Sequence, residues 1–140
     1  MISNCDANFH QALNELGVIG FVPKGNSMWP FIINNKHTVI IRKKEQRLKP
    51  LDVAFYKRGD SFVLHRVVRL MPSGYVMRGD SRLEEENVLE EQVIGVMVEL
   101  YKGKTSLDIN SEKYLKKIQK WYKNTIVTRL KIKLFNFFNK

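Results

Sequence analysis

Val53-Ala54-Phe55-Tyr56-Lys57-Arg58-Gly59-Asp60-Ser61-Phe62-Val63-Leu64-His65-Arg66-Val67-Val68-Arg69-Leu70 is the stretch whose reading decides the fold. It divides into a strand at Val53 to Tyr56, a tight turn at Arg58-Gly59-Asp60, and a longer strand from Ser61 to Leu70, which is the pattern of a β-hairpin. Side chains alternate across a strand, so Val63, His65 and Val67 share one face while Leu64, Arg66 and Val68 share the other. A polar residue on an apolar face is most often a satisfied core residue. His65 is also the one histidine here placed on a rigid element.

Working outward, Pro72-Ser73-Gly74 turns the chain into a strand at Tyr75 to Arg78. Gly79-Asp80-Ser81 opens an acidic loop running through Glu91, and Val93 to Tyr101 reads as a last strand. On the other side, Val18 to Val22 and Thr38 to Ile41 read as strands. Between them lies a Pro-, Gly- and Asn-rich loop, Pro23 to Pro30. Phe9, Leu13 and Leu16 recur at helical spacing over residues 7–16, with Asp6 as the expected cap and Gly17 as the stop. Short strands separated by turn signals predict a mainly β fold, a sheet or partly closed barrel with a short N-terminal helix.

Residues 111–140 differ in character. They hold nine basic residues against Glu112 alone, whereas the first 110 residues hold 15 basic against 13 acidic. Tyr114, Leu115, Ile118, Trp121, Tyr122, Ile126, Leu130, Leu134 and Phe138 recur mostly every three or four residues. This predicts a basic amphipathic helix, with a break expected near Thr125-Ile126-Val127-Thr128. The expected organisation is a domain over residues 1–110 and a helical tail over 111–140.

Composition sets further bounds. At 140 residues and 44% apolar content the chain has room for a single core. Cys5 is alone, so no internal disulfide can form, which suits a reducing compartment. No apolar run approaches the ~20 residues that span a bilayer, and the first eleven residues lack the pattern of a secretory signal. The expected location is therefore cytoplasmic, peripheral to a membrane at most. His10 and His37 show no metal-ligand spacing with each other or with Cys5, so neither metal nor other cofactor is expected.

Lys24-Gly25-Asn26-Ser27-Met28-Trp29-Pro30 places a serine in a turn entered by glycine and closed by proline. A serine hydroxyl needs a base within hydrogen-bond reach to become a nucleophile. A turn that presents the hydroxyl and aims backbone N–H groups at the same space would also stabilise an oxyanion. The structural alternative is a surface turn whose serine caps a backbone group.

The ordered set Gly25-x-Ser27-Met28-x-Pro30, Leu64-His65-Arg66-Val67-Val68, Gly79-Asp80 and Val93-Ile94-Gly95-Val96 resembles the type I signal peptidase and LexA-like serine peptidase superfamily. The resemblance covers Gly17 to Tyr101. It is nearest to the archaeal and endoplasmic-reticulum signal peptidases, which use a histidine as base. It implies Ser27 as nucleophile, His65 as general base and Asp80 as the third catalytic member, with Glu85 or Glu86 as the alternative. It also implies backbone stabilisation of the oxyanion at Ser27 and Gly25.

Three departures stand out. Gly25 occupies a position where many signal peptidases carry serine, a glutamate stands where the family has its later aspartate, and no membrane anchor is evident. The function implied is a serine endopeptidase acting through an acyl-enzyme on a peptide or precursor, for example removing the leader of an exported or modified peptide. The alternatives are a LexA-like self-cleaving protein, which lacks room here for a DNA-binding segment, and a non-catalytic peptide-binding module. For the tail two expectations stand side by side, contact with an anionic membrane surface through residues 111–139 and packing of its apolar stripe on its own domain or on a partner. Its continuous apolar stripe argues against nucleic acid.

Overall fold

The computed structural model describes residues 7–139. Among them are eight strands in one antiparallel sheet, curled into a half-barrel, and three α-helices. The strands are β1 (Val18–Phe21), β2 (His37–Lys43), β3 (Val53–Arg58), β4 (Ser61–Met71), β5 (Gly74–Arg78), β6 (Glu86–Leu89), β7 (Val93–Lys102) and β8 (Thr105–Leu107). Their order is β1-β2-β7-β3-β4-β5-β6, with β8 also pairing β7. The mainly β expectation therefore holds, and so does α1 (Ala7–Leu16). The cap expected at Asp6, and Cys5, lie outside the described residues.

The hairpin forms as its sequence requires. Arg58 pairs with Ser61 across Gly59-Asp60, and Ala54 pairs with His65. Alternation then sorts the side chains into two cores. Phe55, Phe62 and Leu64 join Leu13, Met28, Ile32, Val39 and Ile41 on one face. Tyr56, Val63 and Val67 join Tyr75, Met77 and Val88 on the other. His65 belongs to the second face and Arg66 to the first.

Two strands escape the sequence reading. β6 lies inside the expected acidic loop and pairs β5 from Gly74↔Leu89 to Met77↔Glu86. Of its four residues only Val88 is buried, so it carries almost no alternation to detect. β8 is three residues long and mostly exposed.

The C-terminal segment is two helices, α2 (Glu112–Lys123) and α3 (Thr125–Phe138), separated at Asn124. Ser111 caps α2 by accepting from the Tyr114 N–H. Both helices dock on the domain. Ile118 and Trp121 of α2 are buried, as are Thr128 and Ile132 of α3. Trp29 stacks on Phe135 at 4.1 Å and meets Trp121 edge-on, while Phe31 meets Tyr114 and Trp121. Residues 111–139 are thus not a free-standing tail, since one side of their stripe packs against the Ser27 loop.

Beneath this contact lies a buried ion pair. Arg66 donates through Nε and Nη2 to the two oxygens of Asp80 at 2.9 and 2.8 Å, and the two residues are 2% and 0% exposed. Arg66 also donates to the Leu51 carbonyl. Asp80 accepts a short hydrogen bond from Tyr122, and its carbonyl accepts from Trp121 Nε1 at 2.8 Å. Removing one partner of such a pair strands the other charge away from water, at a cost of about 3–5 kcal/mol. Asp80→Ala should therefore lower thermal stability sharply. Arg66→Met combined with Asp80→Asn should lose less than the two single changes together. An Asp80→Ala protein that melts like the parent but loses activity would instead assign Asp80 to catalysis.

Candidate active site

Ser27 sits in the turn that follows β1, and one backbone conformation and two hydrogen bonds fix that turn. Gly25 takes φ +88°, a conformation that residues with side chains rarely adopt. The Ser27 carbonyl accepts from the Ser81 N–H at 3.0 Å, and the Ser81 hydroxyl donates to the Asn26 carbonyl at 2.6 Å. Ser81 is fully buried, and its own carbonyl accepts from Asn136 of α3. The segment Gly79-Asp80-Ser81 thus clamps the Ser27 turn from one side.

Gly79 brings the turn to the histidine. A Cβ at this position would stand 2.6 Å from the Ser27 carbonyl oxygen and 3.1 Å from His65 Nε2. Those two atoms therefore lie no farther apart than the sum of these distances. The structure brings Ser27 and His65 together, although they are far apart in sequence, and it does so on the Nε2 side of the ring. Among the described residues no hydrogen bond joins the Ser27 hydroxyl to His65. Such contacts often tighten only when substrate binds.

The other ring nitrogen faces a relay. Tyr56, diagonal to His65 across the β3–β4 pair, has its hydroxyl 3.2 Å from His65 Nδ1. The same hydroxyl donates to Glu86 Oε1 at 2.5 Å. Arg58 holds Glu86 through two bonds, at 2.7 and 2.8 Å. Because the Tyr56 proton is committed to Glu86, its oxygen can only accept from the ring. Nδ1 therefore carries the hydrogen, and Nε2, which lies against Gly79, keeps its lone pair free to accept.

The electrostatics agree with this assignment. Burial and the neighbouring Glu86 carboxylate push the Tyr56 hydroxyl well above the usual tyrosine range, so it stays a donor. Burial pushes the Glu86 carboxyl up, but hydrogen bonds from Arg58 and Tyr56 outweigh it and hold the group below the usual carboxylate range. Burial, reinforced by the Arg58 charge, pushes His65 down to about 4. The imidazole is neutral at pH 7, the form a general base requires.

The expected third members separate. Asp80 is committed to Arg66 and Tyr122 on the other face of β4, and none of its hydrogen bonds reaches His65. Glu85 is exposed and pairs with Arg69. Glu86 is the acidic residue linked to the histidine, one hydroxyl removed. Tyr56, Arg58 and Ser81 were not anticipated. Tyr56 could have been found from its place on the His65 face of the hairpin, but no sequence signal marks Ser81. An open pocket lined by Arg58, His65, Arg82, Glu84, Glu85 and Glu86 gives access to the ring. His37 is buried elsewhere and accepts from the Ile33 N–H, a structural role.

The chain matches no family model, and no curated protein or solved structure shows significant similarity to it.

The titration of His65 checks this arrangement without any substrate. Its folded value lies below the unfolded value near ~6.5, so protonation should set in only as pH falls through about 4. Between those values the unfolded chain binds a proton that the folded one does not. The stability from this residue is therefore complete above about pH 6.5 and drains away as pH falls toward 4. Arg58→Gln removes a positive charge beside the ring and should move the midpoint upward in an NMR titration. An unchanged midpoint would place Arg58 outside the field of His65.

Proposed function

We propose that this protein is a serine endopeptidase of the signal-peptidase and LexA-like kind, with Ser27 as nucleophile and His65 as general base. The observation that carries the reading is the polarity of His65. Its Nδ1 meets the Tyr56 hydroxyl, which donates to Glu86, while its Nε2 lies against Gly79, the residue that also meets the Ser27 carbonyl. This is the orientation that a base accepting a serine proton requires.

Ser27 Oγ attacks the peptide carbonyl carbon as its proton passes to His65 Nε2. Backbone N–H groups of the Gly25–Ser27 turn hold the developing oxyanion. Collapse breaks the C–N bond, and the Nε2 proton goes to the leaving amine. Water then attacks the acyl-enzyme, gives its proton to Nε2, and releases the carboxylic acid product and the free Ser27 hydroxyl. Tyr56 and Glu86 act through His65, as positioning residues that fix the tautomer and favour the imidazolium formed in each step. Substrates are peptides or precursor proteins, leader-bearing peptides among them.

The absence of a Ser27–His65 hydrogen bond among the described residues favours one alternative, a peptide-binding module without turnover. Covalent labelling separates the two. A fluorophosphonate probe should form an adduct on Ser27, located by mass spectrometry. Ser27→Ala should abolish the adduct, and His65→Gln should slow labelling by on the order of a thousandfold or more. Tyr56→Phe should slow it less. A parent protein that never labels, or labelling that survives Ser27→Ala, overturns the peptidase reading.

A further inference from the structure

Helix α3 carries one apolar face that packs on the domain and a second that is exposed among the described residues. Thr128, Ile132 and Phe135 turn inward, the last onto Trp29. Ile126, Leu130 and Leu134 follow one another at steps of four residues along the opposite side. Ile126 is 82% exposed, Leu130 60% and Leu134 53%. Val127 and Phe138 widen the same side, and Phe137 and Phe138 meet edge-on at its end. A contiguous apolar face of this kind on a folded protein marks a contact site.

The charges around it select the occupant. Lys131 and Lys133 flank the stripe on either side, with Arg129 beyond Lys133, and all three are exposed. Lys120 and Lys123 extend the basic field along α2. A second copy would bring identical positive fringes together. An acidic, apolar-cored surface would satisfy both elements at once. No helix among the described residues is long and apolar enough to cross a membrane, so contact would run along the surface.

We propose that the outward face of α3 lies on an anionic lipid surface, with Leu130, Leu134 and Phe138 inserted and Lys131 and Lys133 at the headgroups. This narrows the membrane contact from the whole of residues 111–139 to one side of one helix, since the other side is committed to the Ser27 loop. It does not depend on the chemistry at Ser27.

The test uses the full chain with two vesicle types, phosphatidylcholine alone and phosphatidylcholine mixed with phosphatidylglycerol. The protein should sediment with the mixed vesicles, weakly at high salt, and remain free of the neutral ones. Leu130→Glu with Leu134→Glu should cut partitioning by on the order of tenfold or more. Both positions are exposed, so the circular dichroism spectrum should not change. Phe138→Trp should show a blue-shifted emission on the mixed vesicles alone. Failure of the parent to bind them overturns the proposal. So does self-association that Leu130→Glu and Leu134→Glu abolish, or binding to duplex DNA in preference to vesicles.

Discussion

The Arg66–Asp80 pair is the interaction on which the geometry of the site depends. Two charges withdrawn from water must meet with good hydrogen bonds or cost the fold several kcal/mol. Here they meet in a bidentate fork, with Leu51, Trp121 and Tyr122 completing their valences. Each partner is followed or preceded by a residue of the site. His65 precedes Arg66 on β4. Ser81, which holds the Ser27 carbonyl, follows Asp80, and Gly79, which spaces that carbonyl from His65, precedes it. Fixing Arg66 against Asp80 therefore brings both halves of the proposed dyad together, with neither charge touching the chemistry.

His65 occupies the opposite kind of environment. Its surroundings do not stabilise a charge on the ring; burial and Arg58 disfavour one. A base with a lowered pKa is available at neutral pH but accepts a proton less readily. Glu86 offsets part of this by favouring the imidazolium through Tyr56. Since Arg58 pins Glu86, the carboxylate is kept ionised and oriented while its charge is partly neutralised. The relay thus balances availability of the base against its strength.

Much of this was legible in the residues. The hairpin from Val53 to Leu70, with Gly59-Asp60 as its turn, announced the central strands and placed His65 and Arg66 on opposite faces. Ser27 stood out through its glycine and proline neighbours. What was not legible depended on contacts between distant parts of the chain. Asp80 carries an intact Gly-Asp pair, yet its carboxylate is drawn to Arg66, and alternation already put Arg66 on the face away from His65. The stripe of residues 111–139 read as one amphipathic surface. Its division into a docked side and an outward side required the aromatic cluster of Trp29, Phe31 and Trp121, which no local pattern encodes. β6 escaped because an edge strand with one buried residue has little periodicity to show.

The stacking of Trp29 on Phe135 has a consequence for the order of events during synthesis. Trp29 and Phe135 are far apart in sequence, so their contact closes a long loop. The turn bearing Ser27 is made before α2 and α3, and its aromatic flank lacks their side chains until both helices follow. Sheet and hairpin can form while translation proceeds. The packed form of this turn must wait for α3, so every strand of the sheet is made before the flank of the Ser27 turn can settle.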